Sequence, residues 1–129
     1  MYIKDFDNWH KIKKSVNDGK SRIYKERDIW WCNLGVNVGF EQDGRGKLYR
    51  RPVVVIRGFS PQVCLVAPLT TSPKKNKYHF KLGKVTGDKS SSAIISQLRL
   101  VDTKRFVKRA GILEKEKFAK LKNAVRNLF

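Results

Sequence analysis

The chain has 129 residues, 40% of them hydrophobic, with 29 Lys and Arg against 11 Asp and Glu and a net charge of +18. This describes one folded domain with a real core and excludes a disordered tail. So positive a domain points to a polyanionic partner, nucleic acid before a membrane surface. The excess is +3 over residues 1–40, +8 over 41–102 and +7 over 103–129, so it belongs to the body of the domain and not to a detachable tail. Two cysteines in apolar runs, Cys32 and Cys64, read as buried reduced thiols. No apolar stretch approaches a membrane span and the N-terminus carries no signal-like run, so the expected location is the cytoplasm, with no membrane association.

In chain order, residues 5–18 are predicted to form a helix, capped by Asp5 or Asp7 and ended by Gly19. A polar link over 20–27 leads to a strand over 28–34. Residues 35–50 hold glycines and no apolar period, which predicts a long functional loop. Strands follow over 52–57, with Pro52 at the first position, and over 62–69, joined by a turn at 58–61. An edge strand is predicted over 78–82 and a strand over 93–100. Asp102 can cap a short helix over 103–108. A final helix over 114–128 carries Phe118, Leu121, Val125 and Leu128 on one face and lysines on the other. The succession predicts a mainly β (α+β) fold, a small antiparallel sheet or barrel closed by a C-terminal helix. Residues 1–26 read as an added helical extension and 27–129 as the domain proper.

His10 and His79 lie far apart in sequence and read as satisfied structural histidines. No zinc spacing, magnesium-binding carboxylate pair or Walker sequence is present, so no metal or cofactor is expected. The chemistry-bearing residues that remain are Arg51, Thr70, Thr71, Glu41, Gln42, Ser96 and Gln97. Arg51 begins one predicted strand and Thr70 follows the next, so an antiparallel pair brings both to one rim. The loop holding Glu41 leads directly to that rim, and Ser96 and Gln97 on a further strand would close the group. A guanidinium beside a threonine hydroxyl suits a phosphoryl group. Trp30 and Trp31 read as core and interface residues.

The ordered set Arg27-Asp28-Ile29-Trp30, Gly39-Phe40-Glu41-Gln42, Arg51-Pro52-Val53-Val54-Val55-Ile56, Ala67-Pro68-Leu69-Thr70 and Gln97-Leu98-Arg99-Leu100-Val101-Asp102 resembles the MazF/PemK toxins of toxin–antitoxin modules. The resemblance covers about 27–129. It implies an SH3-like β-barrel, usually a homodimer, that cleaves single-stranded RNA at specific sequences without a metal, by attack of a ribose 2′-hydroxyl on the adjacent phosphate, and that a cognate antitoxin inhibits. It assigns Arg51 and Thr70 to the reaction. Glu41 reads either as the base or as a group orienting Arg51. Gln42, Arg45, Lys47, Tyr49, Arg50, Thr71, Lys74, Lys75, Ser96 and Gln97 are the expected RNA contacts, with a solvated loop as the alternative for the lysines.

The chain departs from the family pattern. Eight residues separate Gln42 from Arg51, a longer loop than usual. Phe40 stands where some members carry a histidine, and Ile94 and Ser96 stand where some carry an arginine and an acid. These departures keep two other readings open: a non-catalytic nucleic-acid-binding or gyrase-directed module on the same fold, and a catalytically weakened relative working through partners.

Overall fold

The structure is a computed structural model and describes residues 22–35, 50–73 and 76–129. The predicted helix over 5–18 and most of the glycine loop lie outside these residues. Among the described residues the elements are β1 (Asp28–Asn33), β2 (Arg50–Gly58), β3 (Val63–Thr70), β4 (His79–Gly83), β5 (Ser91–Ile94), β6 (Arg99–Asp102), β7 (Phe106–Ile112) and a C-terminal helix, α1 (Lys115–Arg126). All the strand pairs are antiparallel and run in the order β4-β5-β3-β2-β1-β7, with β6 also on β3. Among the described residues the ladder ends at β4 and β7, so the sheet curls like a barrel without closing there through hydrogen bonds.

β1, β2 and β3 are apolar at nearly every position because both of their faces are covered. On one face, Ile29, Val54, Ile56, Ala67 and Leu69 pack with Leu82, Leu113 and the helix residues Phe118, Leu121 and Val125. On the other, Trp30, Cys32, Val53, Val55, Cys64 and Val66 pack with Leu34, Val101 and Phe106. Alternate residues of each strand enter opposite cores, as the pleat requires. α1 presents its predicted stripe to the first core, and Glu116 in its first turn and Arg126 in its last complement the helix dipole. One of its lysines is not simply solvated: Lys117 Nζ donates to the Leu82 carbonyl at 2.7 Å.

β3 is the organising strand. One edge pairs with β2. The other is shared, with Val63–Val66 pairing to β6 and Leu69–Thr70 pairing to β5. Pro68, which has no N–H, falls in the gap between these two ladders, where that edge needs no donor.

This division corrects the expectation of one strand over 93–100. The chain leaves β5 at Ile94, makes a 3-10 turn over Ile95–Gln97 and enters β6 at Arg99. It must step sideways to serve two positions along β3. The predicted helix over 103–108 is likewise a single 3-10 turn, Thr103–Arg105, followed by β7. Asp102 does cap that turn, its Oδ1 accepting from Lys104 N at 2.8 Å. Thr103 is then tied to the β2–β3 turn by bonds to the Pro61 and Gln62 carbonyls, and Phe106 sinks into the second core. A helix would forfeit both and leave the outer edge of β1 unpaired. Pro52 is the third residue of β2, not the first.

Asp28 ties three segments together. It is buried, and its Oδ2 accepts from Lys25 N at 2.9 Å and Trp30 Nε1 at 3.2 Å, while Oδ1 accepts from Arg109 Nε at 3.1 Å. Next to it Arg27 adopts φ 77°, a left-handed conformation that is uncommon outside glycine. Its backbone bonds to the Val55 carbonyl and to Leu113 N, and its Nε donates to the Leu113 carbonyl, which together hold the bend.

Asp28→Ala is expected to cost about 2–4 kcal/mol in denaturant unfolding, because it strands the buried Trp30 indole N–H and the part-buried Lys25 N–H. Arg109→Ala should cost under about 1 kcal/mol, since its side chain is half exposed. Burial pushes the Cys32 and Cys64 thiols up to about 12. Unfolding restores an ordinary thiol near 8.5. The unfolded chain therefore loses protons first, and this contribution to stability, full below about pH 8.5, declines as pH rises toward 12. The folded protein should resist a thiol reagent at pH 8 and react fully once unfolded. Rapid labelling of the native protein would contradict the buried placement.

Candidate active-site cleft

A cleft of about 700 Å³ opens where β2 begins and β3 ends. Its walls follow from the topology. β1 contributes Trp31, β2 contributes Arg50, Arg51 and Pro52, and β3 contributes Leu69 and Thr70, followed by Thr71. The β4–β5 connection adds residues 86–89 and β5 adds Ser91, while β7 adds Val107 and Lys108. β7 was unforeseen, and with it the wall it supplies.

Arg51 and Thr70 meet at this rim. Val53 faces Pro68, and the same antiparallel register two residues on sets Arg51 across from Thr70. Arg51 is 5% exposed and its Nη1 donates to the Leu69 carbonyl at 2.9 Å. The charge is thus held by the neighbouring strand and does not swing on a flexible stem. Thr70 is also buried, and its Oγ1 accepts from Ser72 N at 3.2 Å. That bond occupies a lone pair and leaves the hydroxyl hydrogen to donate. Arg50 lines the same cleft, its Nε buried with no hydrogen-bond partner among the described residues. It pairs in the β1–β2 ladder with Asn33, whose Oδ1 is unpartnered in the same sense.

Other expected residues fall elsewhere. Ser96 and Gln97 do not close the group around Arg51. They lie on the 3-10 turn after β5 and line a separate cleft of about 430 Å³ with Leu34, Pro68 and Arg99. Beside it, the Arg105 guanidinium has its pKa lowered by burial and by the like charge of Arg99. The chain leaves the described part at Gly35, next to Leu34 of this second cleft, and re-enters at Arg50 in the first. Glu41, Gln42, Arg45, Lys47 and Tyr49 fall between, and Lys74 and Lys75 on another connection; all lie outside the described residues. His79 lines neither cleft, and its Nδ1 is buried without a partner among the described residues.

The sequence reading missed Trp31, Asp88, Lys89 and Lys108 as cleft residues. Trp31 had a signal: consecutive strand residues point to opposite faces, so Trp30 in the core turns Trp31 away from it. The others sit on a polar connection and on a strand without a local signature. Among the described residues no three metal-ligating side chains cluster, and no helix is long and apolar enough to cross a membrane.

Among the described residues, four cations, Arg50, Arg51, Lys89 and Lys108, line the main cleft with one carboxylate, Asp88. Such a surface suits a phosphate backbone. Binding of a single-stranded oligonucleotide, followed by fluorescence anisotropy against salt, is expected to weaken steeply. Lys89→Gln and Lys108→Gln should each reduce the slope of log affinity on log salt by about 0.7. A slope unchanged in both variants would place the polyanion elsewhere.

Residues 25–129 match the family model described as PemK-like, MazF-like toxin of type II toxin–antitoxin systems. No curated protein matches the chain by sequence. Among solved structures, MazF of Deinococcus radiodurans aligns at a TM-score of 0.66 and 19% identity, covering 83% of this chain and 96% of that one. The Mycobacterium tuberculosis toxin MazF-mt6 aligns at 0.60 and 18%, covering 78% and 94%. A mycobacterial endoribonuclease in complex with its cognate antitoxin aligns at 0.61 and 10%, covering 81% and 92%. At these identities the structural matches speak to the fold.

Proposed function

The chain belongs to the PemK-like, MazF-like toxin family of type II toxin–antitoxin systems, and from that premise we propose that it is an endoribonuclease cutting single-stranded RNA at the Arg51–Thr70 rim. The observation that carries the reading is a buried, strand-anchored guanidinium beside a buried threonine hydroxyl in a cation-lined cleft.

In the reaction, a ribose 2′-oxygen forms a bond to the adjacent phosphorus and the bond from phosphorus to the 5′-oxygen breaks. Negative charge builds on the non-bridging oxygens between these events. Donors fixed beforehand stabilise that charge without reorganising. Arg51 supplies a permanent charge and Thr70 a directed hydroxyl. Arg51 holds its proton too tightly to act as a base, so its role is charge stabilisation. Glu41 is the carboxylate this reading assigns as the base: it takes the proton of the 2′-hydroxyl, and the departing 5′-oxygen takes up a proton from solvent. No step draws on a metal ion.

The reading extends to partners. A homodimer would double the cleft, and an acidic antitoxin segment folding over the basic surface would compete with RNA for it. The net charge of +18 and the cationic cleft support this, and a related endoribonuclease has been solved with its antitoxin. The setting is the cytoplasm, where messenger RNA and reduced thiols are both found.

The test is incubation with a long single-stranded RNA in EDTA, with ends mapped by sequencing. Discrete cuts bearing 2′,3′-cyclic phosphate ends are expected. Thr70→Val keeps the side-chain shape and should slow cutting about 10²–10³-fold, and Arg51→Ala at least as much. Thermal melts of both variants separate a lost fold from a lost donor. RNA that stays intact whatever its sequence, or variants that cut at the native rate, would sink the reading. Salt-sensitive binding without cutting would instead mark a non-catalytic binding module.

A further inference from the structure

Two features of the main cleft are unused by phosphate chemistry. Trp31 is half-buried on β1 and lines the wall beside Arg51 and Pro52. Asp88 is exposed on the β4–β5 connection and lines the same cleft. It sits among Arg50, Arg51, Lys89 and Lys108, yet makes no ion pair or hydrogen bond with the described residues. Its two oxygens are not taken up by those cations.

A cleft that only held phosphates would lose by this arrangement, because a carboxylate repels a phosphodiester. A carboxylate in such a place is useful against a group that donates hydrogen bonds. In RNA those donors are the N–H groups on base edges. A carboxylate offers two acceptor oxygens side by side. Guanine alone among the four bases presents two adjacent N–H donors, N1–H and the N2 amine, on its Watson–Crick edge. Adenine and cytosine set a donor beside an acceptor nitrogen, and uracil flanks one donor with two carbonyls. Each of these turns a lone pair toward one carboxylate oxygen.

Trp31 supplies what the carboxylate cannot. Stacking on an aromatic face holds any base and selects none. The backbone beside Asp88 leaves room for one: Gly87 has φ +155° and nothing within 4 Å of where a Cβ would stand.

We propose that Trp31 and Asp88 form a nucleobase subsite that selects guanine. Trp31 is the platform and Asp88 the reader, while the surrounding cations hold the phosphate of the same nucleotide. The subsite deepens the ribonuclease reading and rests on it for the identity of the polymer.

The experiment is calorimetric titration of the full-length protein with the 3′-monophosphates of guanosine, inosine, adenosine, cytidine and uridine. Inosine keeps N1–H and lacks the N2 amine. Guanosine monophosphate is expected to bind about tenfold or more tightly than the inosine and adenosine forms, the value of a charge-assisted hydrogen bond. Asp88→Asn, at an exposed position outside both cores, should erase that preference. Trp31→Leu keeps apolar bulk and should weaken all five ligands by a similar factor. Equal affinities in the native protein, no binding of any nucleotide, or a guanosine preference that survives Asp88→Asn would each overturn the subsite. The titration needs no cleavage. A guanosine preference lost in Asp88→Asn, in a protein that leaves RNA intact, would remove the ribonuclease reading and keep the subsite. RNA cut at sites with no fixed guanine would do the reverse.

Discussion

The Asp28 carboxylate is the constraint from which the site follows. Its two oxygens are shared among a backbone N–H before β1, the indole of Trp30 and the guanidinium of Arg109 on β7. The indole is thereby fixed within the second core, where it stacks on Phe106 with ring centroids 5.1 Å apart. With Trp30 turned inward, the pleat gives Trp31 no choice but the opposite face, and that face opens on the cleft. One buried acid so determines which of two adjacent tryptophans packs and which is presented. It also brings β7, with Val107 and Lys108, against β1.

The other wall depends on how β3 spends its outer edge. A strand of eight residues is bordered on one side by β2 and on the other by two shorter strands in turn. Its last residues pair with β5, which carries the β4–β5 connection and Asp88 to the same end as Thr70. Its first residues pair with β6, which leads Ser96 and Gln97 to another cleft. The proline at the changeover lets both ladders meet the strand without an unmet donor. Arg51 is then anchored on Leu69, the residue just past that changeover. The rigidity of the guanidinium is a property of the sheet.

The parts of this arrangement that were legible in the sequence are those with a local cause. The apolar runs of β1 to β3 announce strands because both faces are buried, and Phe118, Leu121 and Val125 announce α1 by their spacing. Arg51 and Thr70 could be set at one rim from strand polarity alone. What could not be read depends on pairing between distant segments. Ala93 to Leu100 is as apolar as one strand, and the turn within it exists because β3 needs two partners. Phe106 to Ile112 follows a helix-capping aspartate, and it is a strand because β1 has an edge to fill. Asp88 and Lys108 join the cleft only through those pairings, so no local pattern marks them.

The charge of the cleft sets affinity and choice against each other. The four cations among its described residues would bind any phosphate backbone and so favour every RNA alike. The Asp88 carboxylate among them weakens that general attraction and returns something only when a matching donor edge arrives. The same carboxylate bears on the proposed antitoxin contact. An acidic segment folding over this surface gains from Arg50, Arg51, Lys89 and Lys108 but meets repulsion at Asp88. Its contacts are therefore best made at cations that the acid does not shadow. An inhibitor placed there blocks the phosphate without imitating the base. A reversed charge in a basic cleft can in this way separate what the proposed substrate must satisfy from what an inhibitor need only cover.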